Sequence, residues 1–339
     1  MGVFDSKNWN SAVFQKYLET IPRVKQNALL NSGVLRTRAD LKSLLVDQVG
    51  GNYINVPIVG RIGGDVQNYD GATDIVASGI GTYLQSMIVF GRAKAWQEKD
   101  FTQDITGKDF MEEIAAQVAT YWDDVDEVDL ISVLKGIFGV EDDGFSTSHV
   151  LDITGAVQAA DRVVGPATLN NAVQKAAGAN KNAFSLAIMH SQVATNLENQ
   201  QLLEFWKETD ANGIQRQLNL ASWNGRTVLI DDDLVDLSGS DPVYETYILG
   251  RGAIDFCDCG AKVPNETKRD ELTYGGVDML ITRQRHLLAP VGFSYTNTSK
   301  VSPMASDLAT ASNWALVQGT DGSYYPTKAI AMAKIKSLG

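Results

Sequence analysis

The first apolar pattern along the chain is helical. Trp9, Val13, Phe14, Tyr17 and Leu18 recur at helical spacing over residues 9–21, and Pro22 ends the run. A second short helix is predicted from Arg38 to Asp47. The period then changes to two: Ile54, Val56 and Ile58 alternate with Asn55 and Pro57, which gives a strand with one apolar face. Pro57 suits only an edge or irregular position, because it has no backbone N–H to donate. Six glycines from Gly60 to Gly81 favour bends, and Tyr83 to Ala93 reads as a return strand. The pair is expected to form a long two-stranded projection with a glycine-rich tip, and such a ribbon needs something to rest on.

The strongest stripe follows Thr106-Gly107. Phe110, Ile114, Val118, Tyr121, Trp122, Val125, Ile131, Leu134 and Phe138 fall on one helical face, and Glu112, Glu113, Asp123, Asp126, Glu127 and Asp129 on the other. About 30 residues at 1.5 Å each make a spine of ~45 Å, far longer than an average helix. Beyond Gly144 the elements shorten. Leu169–Ala176 is predicted helical, Phe184–Met189 a buried strand, Gln192–Phe205 helical, and Thr227–Ile230 a strand running into Asp231-Asp232-Asp233. Three β-type segments follow, at Tyr244–Cys257, Gly276–Leu288 and Phe293–Thr296, then a short helix over Ser306–Trp314 and a last strand near Ala329–Ile335. This order implies an α+β fold with a compact unit in its second half.

Composition changes the picture little: 44% hydrophobic and 21% charged residues over 339 positions describe an ordinary folded chain. No run approaches the ~18 apolar residues of a membrane span, and Asp5, Lys7, Asn8 and Asn10 exclude a signal-peptide core at the N-terminus. A reducing, cytoplasmic setting is expected, since Cys257 and Cys259 lie too close in sequence for an unstrained bridge. The net charge of −12 argues against broad nucleic-acid binding. The charge is nevertheless uneven. Residues 1–45 carry seven Lys or Arg against three acids, while residues 107–143 carry two against eleven. A basic arm and an acidic helix could attract one another across a subunit contact, or both could be solvated faces.

Catalytic patterns are scarce. His149, His190 and His286 are far apart and none has a second ligand at metal-binding spacing. Cys257 and Cys259 share one strand face, where they form either a buried pair or the seed of a soft-metal site. Asp231-Asp232-Asp233 is either an exposed acidic turn or a Mg²⁺ locus. Gly250-Arg251-Gly252 lacks the third glycine and the following helix of a dinucleotide fingerprint. No phosphate-binding loop and no nucleophile elbow is present. No catalytic residue, cofactor or metal ligand is therefore assigned.

Several stretches are similar to a prophage coat-protein family. They are Lys94-Ala95-Trp96, Gly107-Lys108-Asp109 leading into Ala119-Thr120-Tyr121-Trp122, and Val133-Leu134-Lys135-Gly136-Ile137-Phe138-Gly139-Val140. Farther on come Ala187-Ile188-Met189-His190-Ser191, Trp223-Asn224-Gly225-Arg226-Thr227-Val228-Leu229-Ile230-Asp231-Asp232, Tyr247-Ile248-Leu249-Gly250-Arg251-Gly252-Ala253-Ile254, Glu266-Thr267-Lys268-Arg269-Asp270 and Thr282-Arg283-Gln284-Arg285-His286. Ser302-Pro303, Leu308 and Asn313-Trp314 close the series. Together they span roughly residues 50–315.

The order of elements resembles the Hong Kong 97-type fold of tailed-phage capsid proteins. That resemblance implies an N-terminal arm over 1–48, an extended loop over 49–100 and a peripheral domain with the spine helix over 101–150. It further implies an axial domain over 151–245 and strands returning to both domains over 246–339. It also implies a major capsid protein, not an enzyme, that assembles into an icosahedral shell around double-stranded DNA. The implied partners are copies of itself as pentamers and hexamers, a portal, decoration proteins, and DNA held without sequence-specific contacts, with no membrane. No long helical stretch precedes the extended loop, so a separate scaffolding protein is expected. Ile58, Arg61, Tyr83, Met87 and Trp96 are the expected intersubunit contacts, with assembly in the bacterial cytoplasm and residence in the virion capsid. An encapsulin-like nanocompartment shell is the nearest alternative. A metal-dependent hydrolase centred on Asp231 to Asp233 and His286 is the distant one.

Overall fold

The computed structural model describes residues 32–46, 52–60, 66–70, 81–100, 110–141, 144–209, 215–239, 241–319 and 322–339, together with Leu29 and Asp74. The helix expected over 9–21 and most of the glycine-rich tip lie outside the described residues. In chain order the first half contains β1 (Leu35–Thr37), α1 (Ala39–Val46), β2 (Tyr53–Val59), β3 (Thr82–Lys99), α2 (Phe110–Phe138), α3 (Phe145–His149) and β4 (Val150–Asp152). The middle contains α4 (Thr168–Ala177), β5 (Phe184–Met189), α5 (Ser191–Asn199), β6 (Leu203–Thr209), β7 (Gln215–Trp223), β8 (Arg226–Ile230) and β9 (Val235–Asp236). The last part contains β10 (Val243–Gly250), β11 (Ile254–Asp258), β12 (Asn265–Asp270), β13 (Val277–Pro290), β14 (Phe293–Tyr295), α6 (Ala305–Leu308), β15 (Trp314–Leu316) and β16 (Met332–Ser337).

Two large sheets organise these elements. In the first, of order β1-β11-β13-β3-β2 with β12 also on β13, the 18-residue β3 pairs with β2 through its first half and with β13 through its second. Pro57 thus lies on the edge strand β2, where its missing N–H costs no ladder bond. The second sheet, of order β4-β16-β10-β5-β8-β7-β6 with β9 on β10, forms the compact unit. Helices α4 and α5 bury Leu169, Val173, Val193 and Leu197 with Ala187, Met189, Val228 and Ile248 of that sheet.

The helix α2, about 43 Å long at 1.5 Å per residue, joins the two sheets. Its second half buries Leu130, Ile131, Leu134, Ile137 and Phe138 in one core with Phe90 and Leu288 of the first sheet and Leu186, Leu249 and Met332 of the second. Gly136 allows the tightest approach, since a Cβ there would lie 2.2 Å from the Leu308 carbonyl oxygen and 2.6 Å from Trp314 Nε1.

The structure differs from the sequence reading at several places. The expected helix Gln192–Phe205 stops at Asn199, because Gln201 turns to φ 58° and the Leu202 N–H returns to the Leu197 carbonyl. The chain then enters β6. The span Tyr244–Cys257 is two strands, parted where Gly252 takes φ 66°. Over Ser306–Trp314 only Ala305–Leu308 is α-helical, and Trp314 opens β15. Strand β7 was not anticipated. The acidic face of α2 is not simply solvated: Asp123, Glu127 and Asp129 are buried.

Candidate functional site

The residues that suggested chemistry serve the fold. Asp231 accepts from the Asp233 N–H at 2.7 Å and closes its own turn, and Asp232 accepts from the Ser191 N–H at 3.3 Å and ties that turn to the start of α5. Hydrogen bonding from the Ser191 side chain, and then from its N–H, holds the Asp232 carboxyl below the usual carboxylate range. His149 is buried, stacked on Phe145 and bonded through Nδ1 to the Met332 carbonyl, and burial depresses its pKa. His190 caps α5 by accepting from the Gln192 N–H. His286 faces Asp126 of α2 at 3.4 Å and stacks on Phe256, neither of which belongs to the Asp231–Asp233 turn. Cys257 and Cys259 are buried free thiols among Leu41, Met87, Val89 and Leu287, and burial pushes Cys259 up to about 12. Among the described residues no group of three or more His, Cys, Asp or Glu could hold a metal ion. Among them, too, no helix is long and apolar enough to cross a membrane.

What the fold offers outward is the hairpin of β2 and β3. Its antiparallel register sets Ile54 opposite Met87, Val56 opposite Gln85 and Ile58 opposite Tyr83. Opposed residues share a face, so these six point one way. That face is largely covered by the chain itself. Tyr83 meets the edge of Tyr325 at 5.4 Å, and the Gln85 amide donates to the Pro290 and Phe293 carbonyls, both at 2.8 Å. The other face carries Asn55 with Ser86, Pro57 with Leu84, and Val59 with Thr82. Val59 is 66% exposed and Leu84 55%, so the outer face presents apolar side chains to solvent.

The base of the hairpin is fixed to α2. Arg92 of β3 forms a two-toothed pair with Asp129, Nη2 to Oδ1 at 2.7 Å and Nε to Oδ2 at 3.1 Å, the carboxylate being buried and the arginine half-buried. Burial raises the Asp129 pKa and Arg92 opposes the rise. Trp122 Nε1 donates to Thr282 Oγ1 at 3.1 Å, and Trp96 meets the edge of Tyr121 at 5.3 Å. The projection therefore leaves a braced platform.

Of the expected contact residues, Met87 is 2% and Tyr83 9% exposed. Both are packed inside their own chain. Ile58 is half-buried on the same inner face, Trp96 is half-buried against α2, and Arg61 lies outside the described residues. The four described ones do not share one exposed face, since Tyr83 and Met87 are buried and Trp96 packs on α2. The exposed apolar residues of the hairpin are Pro57, Val59 and Leu84, one position out of phase with those chosen from the sequence. Alternation shows that one face is apolar, but only the pairing shows which face the chain covers.

No protein-family profile matches the chain. It is 27% identical over 292 residues to the major capsid protein of Bacillus phage SPP1, covering 85% of this chain and 86% of that one. Its fold is similar to that of the cyanophage Pam1 capsid, with TM-score 0.57 and 12% identity over 91% of this chain and 90% of the other. It is similar again to the capsid of Ralstonia phage GP4, with TM-score 0.58 and 10% identity over 91% and 88%.

Proposed function

We infer that this chain is a tailed-phage major capsid protein of the Hong Kong 97-type fold, the subunit from which a viral shell is built. The observation that carries this is the match to a phage major capsid protein, which spans 85% of this chain and 86% of that one. The geometry supports it. A braced hairpin with one face covered and an apolar outer face suits a subunit that completes its packing on another copy. Burial of that outer face would contribute about 25 cal/mol per Å² before ordering costs. Closed symmetry repeats each such contact over the whole shell, so a single pair need not be tight.

The finer reading is that the copies gather as pentamers and hexamers in the host cytoplasm. A separate scaffolding protein guides them, and a portal and decoration proteins complete the particle. The shell then holds double-stranded DNA without specific contacts, as the charge of −12 permits. The proposed division is an arm over 1–48, an extended loop over 49–100, a peripheral unit over 101–150, an axial unit over 151–245, and strands returning to both. Shell building is proposed as the whole role, with no catalytic step.

Light scattering on the purified protein across a concentration series, with and without scaffolding protein, tests this. Growth into capsomers or shells is expected. A strict monomer under every condition overturns the reading, and shells that hold a cargo enzyme in place of phage DNA would transfer it to a nanocompartment.

A further inference from the structure

Arg226 is the first residue of β8, set directly after the turn in which Asn224 and Gly225 take φ 51° and 77°. It is 8% exposed. Its Nε has no hydrogen-bond partner, and its terminal nitrogens reach only the Asn224 and Lys181 carbonyls, at 3.4 and 3.3 Å. Among the described residues no carboxylate pairs with it. The contrast with other arginines is sharp: Arg92 meets Asp129 at 2.7 Å, and Arg36 and Arg38 converge on the buried Asp255 at 2.6 and 3.1 Å. Burial alone acts on Arg226 and lowers its pKa, yet a guanidinium stays charged in a protein. A buried charge without a counter-charge is costly, so such a site favours any anion that fits.

The space beside it is a cleft of about 340 Å³, where the β7–β8 turn, the β10–β11 turn, the start of β5 and the segment before β1 come together. Arg251, an exposed second arginine, also lines it, with its stem 3.6 Å from the position a Cβ on Gly33 would take. Ser32, Asn182, Ser185, Asn224 and Thr227 are its other polar lining residues, and no Asp or Glu lines the cleft. Two forked cations with neutral donors and no acid match a compact oxyanion, which accepts from several N–H groups at once.

We propose that the cleft of Arg226 and Arg251 is an oxyanion site, filled either by a free phosphate-sized anion or by a carboxylate from a second copy of this chain. Arg226 supplies the buried fork and Arg251 the gate-side charge. Because the cleft joins four chain segments, occupancy ties the segment before β1 to the compact unit.

The test uses the full-length unassembled subunit, melted in rising inorganic phosphate or acetate against chloride at matched ionic strength. Wild type should show a saturable rise in melting temperature of a few degrees. Arg251→Gln, at an exposed position, should fold normally and weaken that response about tenfold; Arg226→Lys, which keeps charge but loses the fork, should abolish it. Comparison within one salt removes the general stabilisation that phosphate gives any protein. If Arg226→Lys does not fold, Arg251→Gln alone decides. Closed shells then separate the sources: shells that still bind phosphate have a free-anion site, and shells that no longer do have filled it with a neighbour's carboxylate. A wild-type response equal to that of Arg251→Gln in both salts, or no response, overturns the proposal.

Discussion

The eight-stranded sheet and the β2–β3 hairpin are both built from alternating apolar residues, yet they finish their packing differently. In β5 and β10 nearly every position is buried, because α4 and α5 cover one face of their sheet and α2 with its neighbours the other. In the hairpin only one face is covered, so Met87 vanishes while Leu84 stays open three residues away. Val59 and Leu84 are as apolar as the residues of the closed core. What differs is the number of layers the chain supplies. The compact unit is covered on both faces, and the hairpin is covered on one, which on the proposed function leaves the other layer to a neighbouring copy.

The largest effect expected within the closed region is from Trp122→Ala. It removes a buried ring that bonds Thr282 across the α2–β13 contact, and should cost about 3–5 kcal/mol in chemical denaturation. An unchanged unfolding midpoint would mean that α2 does not close the core there. Arg92→Ala should cost about 3 kcal/mol, because it strands Asp129 in the interior, and the double variant with Asp129→Asn should recover much of it. Equal losses in single and double variants would show that the pair does not brace the hairpin. A smaller effect comes from His149. Its folded pKa lies below the ordinary 6.5, so on acidification the unfolded chain takes up its proton first. Stability should fall as pH drops below about 6.5, with a slope of at most ~1.4 kcal/mol per pH unit from this group. His149→Gln should flatten that slope, and an identical profile would exclude the group.

Much of this was open to sequence reasoning, and the reasons are local. The α2 helix is legible because its apolar period persists for eight turns, and β5 because a short β-branched and aliphatic run lies between turn signals. The hairpin is legible because Pro57 and the glycines break every other option. The burial of Asp129 was hidden, since it depends on Arg92, 37 residues away in sequence. The outward face was hidden for the same kind of reason. Whether Tyr83 or Leu84 faces the solvent is decided by Tyr325, Pro290 and Phe293, more than 200 residues downstream. Strand β7 carries Gln215, Arg216, Gln217 and Asn219, a polar composition that conceals a strand paired on both sides.

The smallest change to the subunit should make the largest change to assembly. Val59→Asp and Leu84→Asp together place charge on the open face, where a surface substitution costs within about 0.5 kcal/mol of subunit stability. Thermal melting and electron microscopy of one preparation read both consequences. The account predicts a parental melting transition and no closed shells. Regular shells from the double variant would contradict it, because the outer face of the hairpin would then have no neighbour to meet.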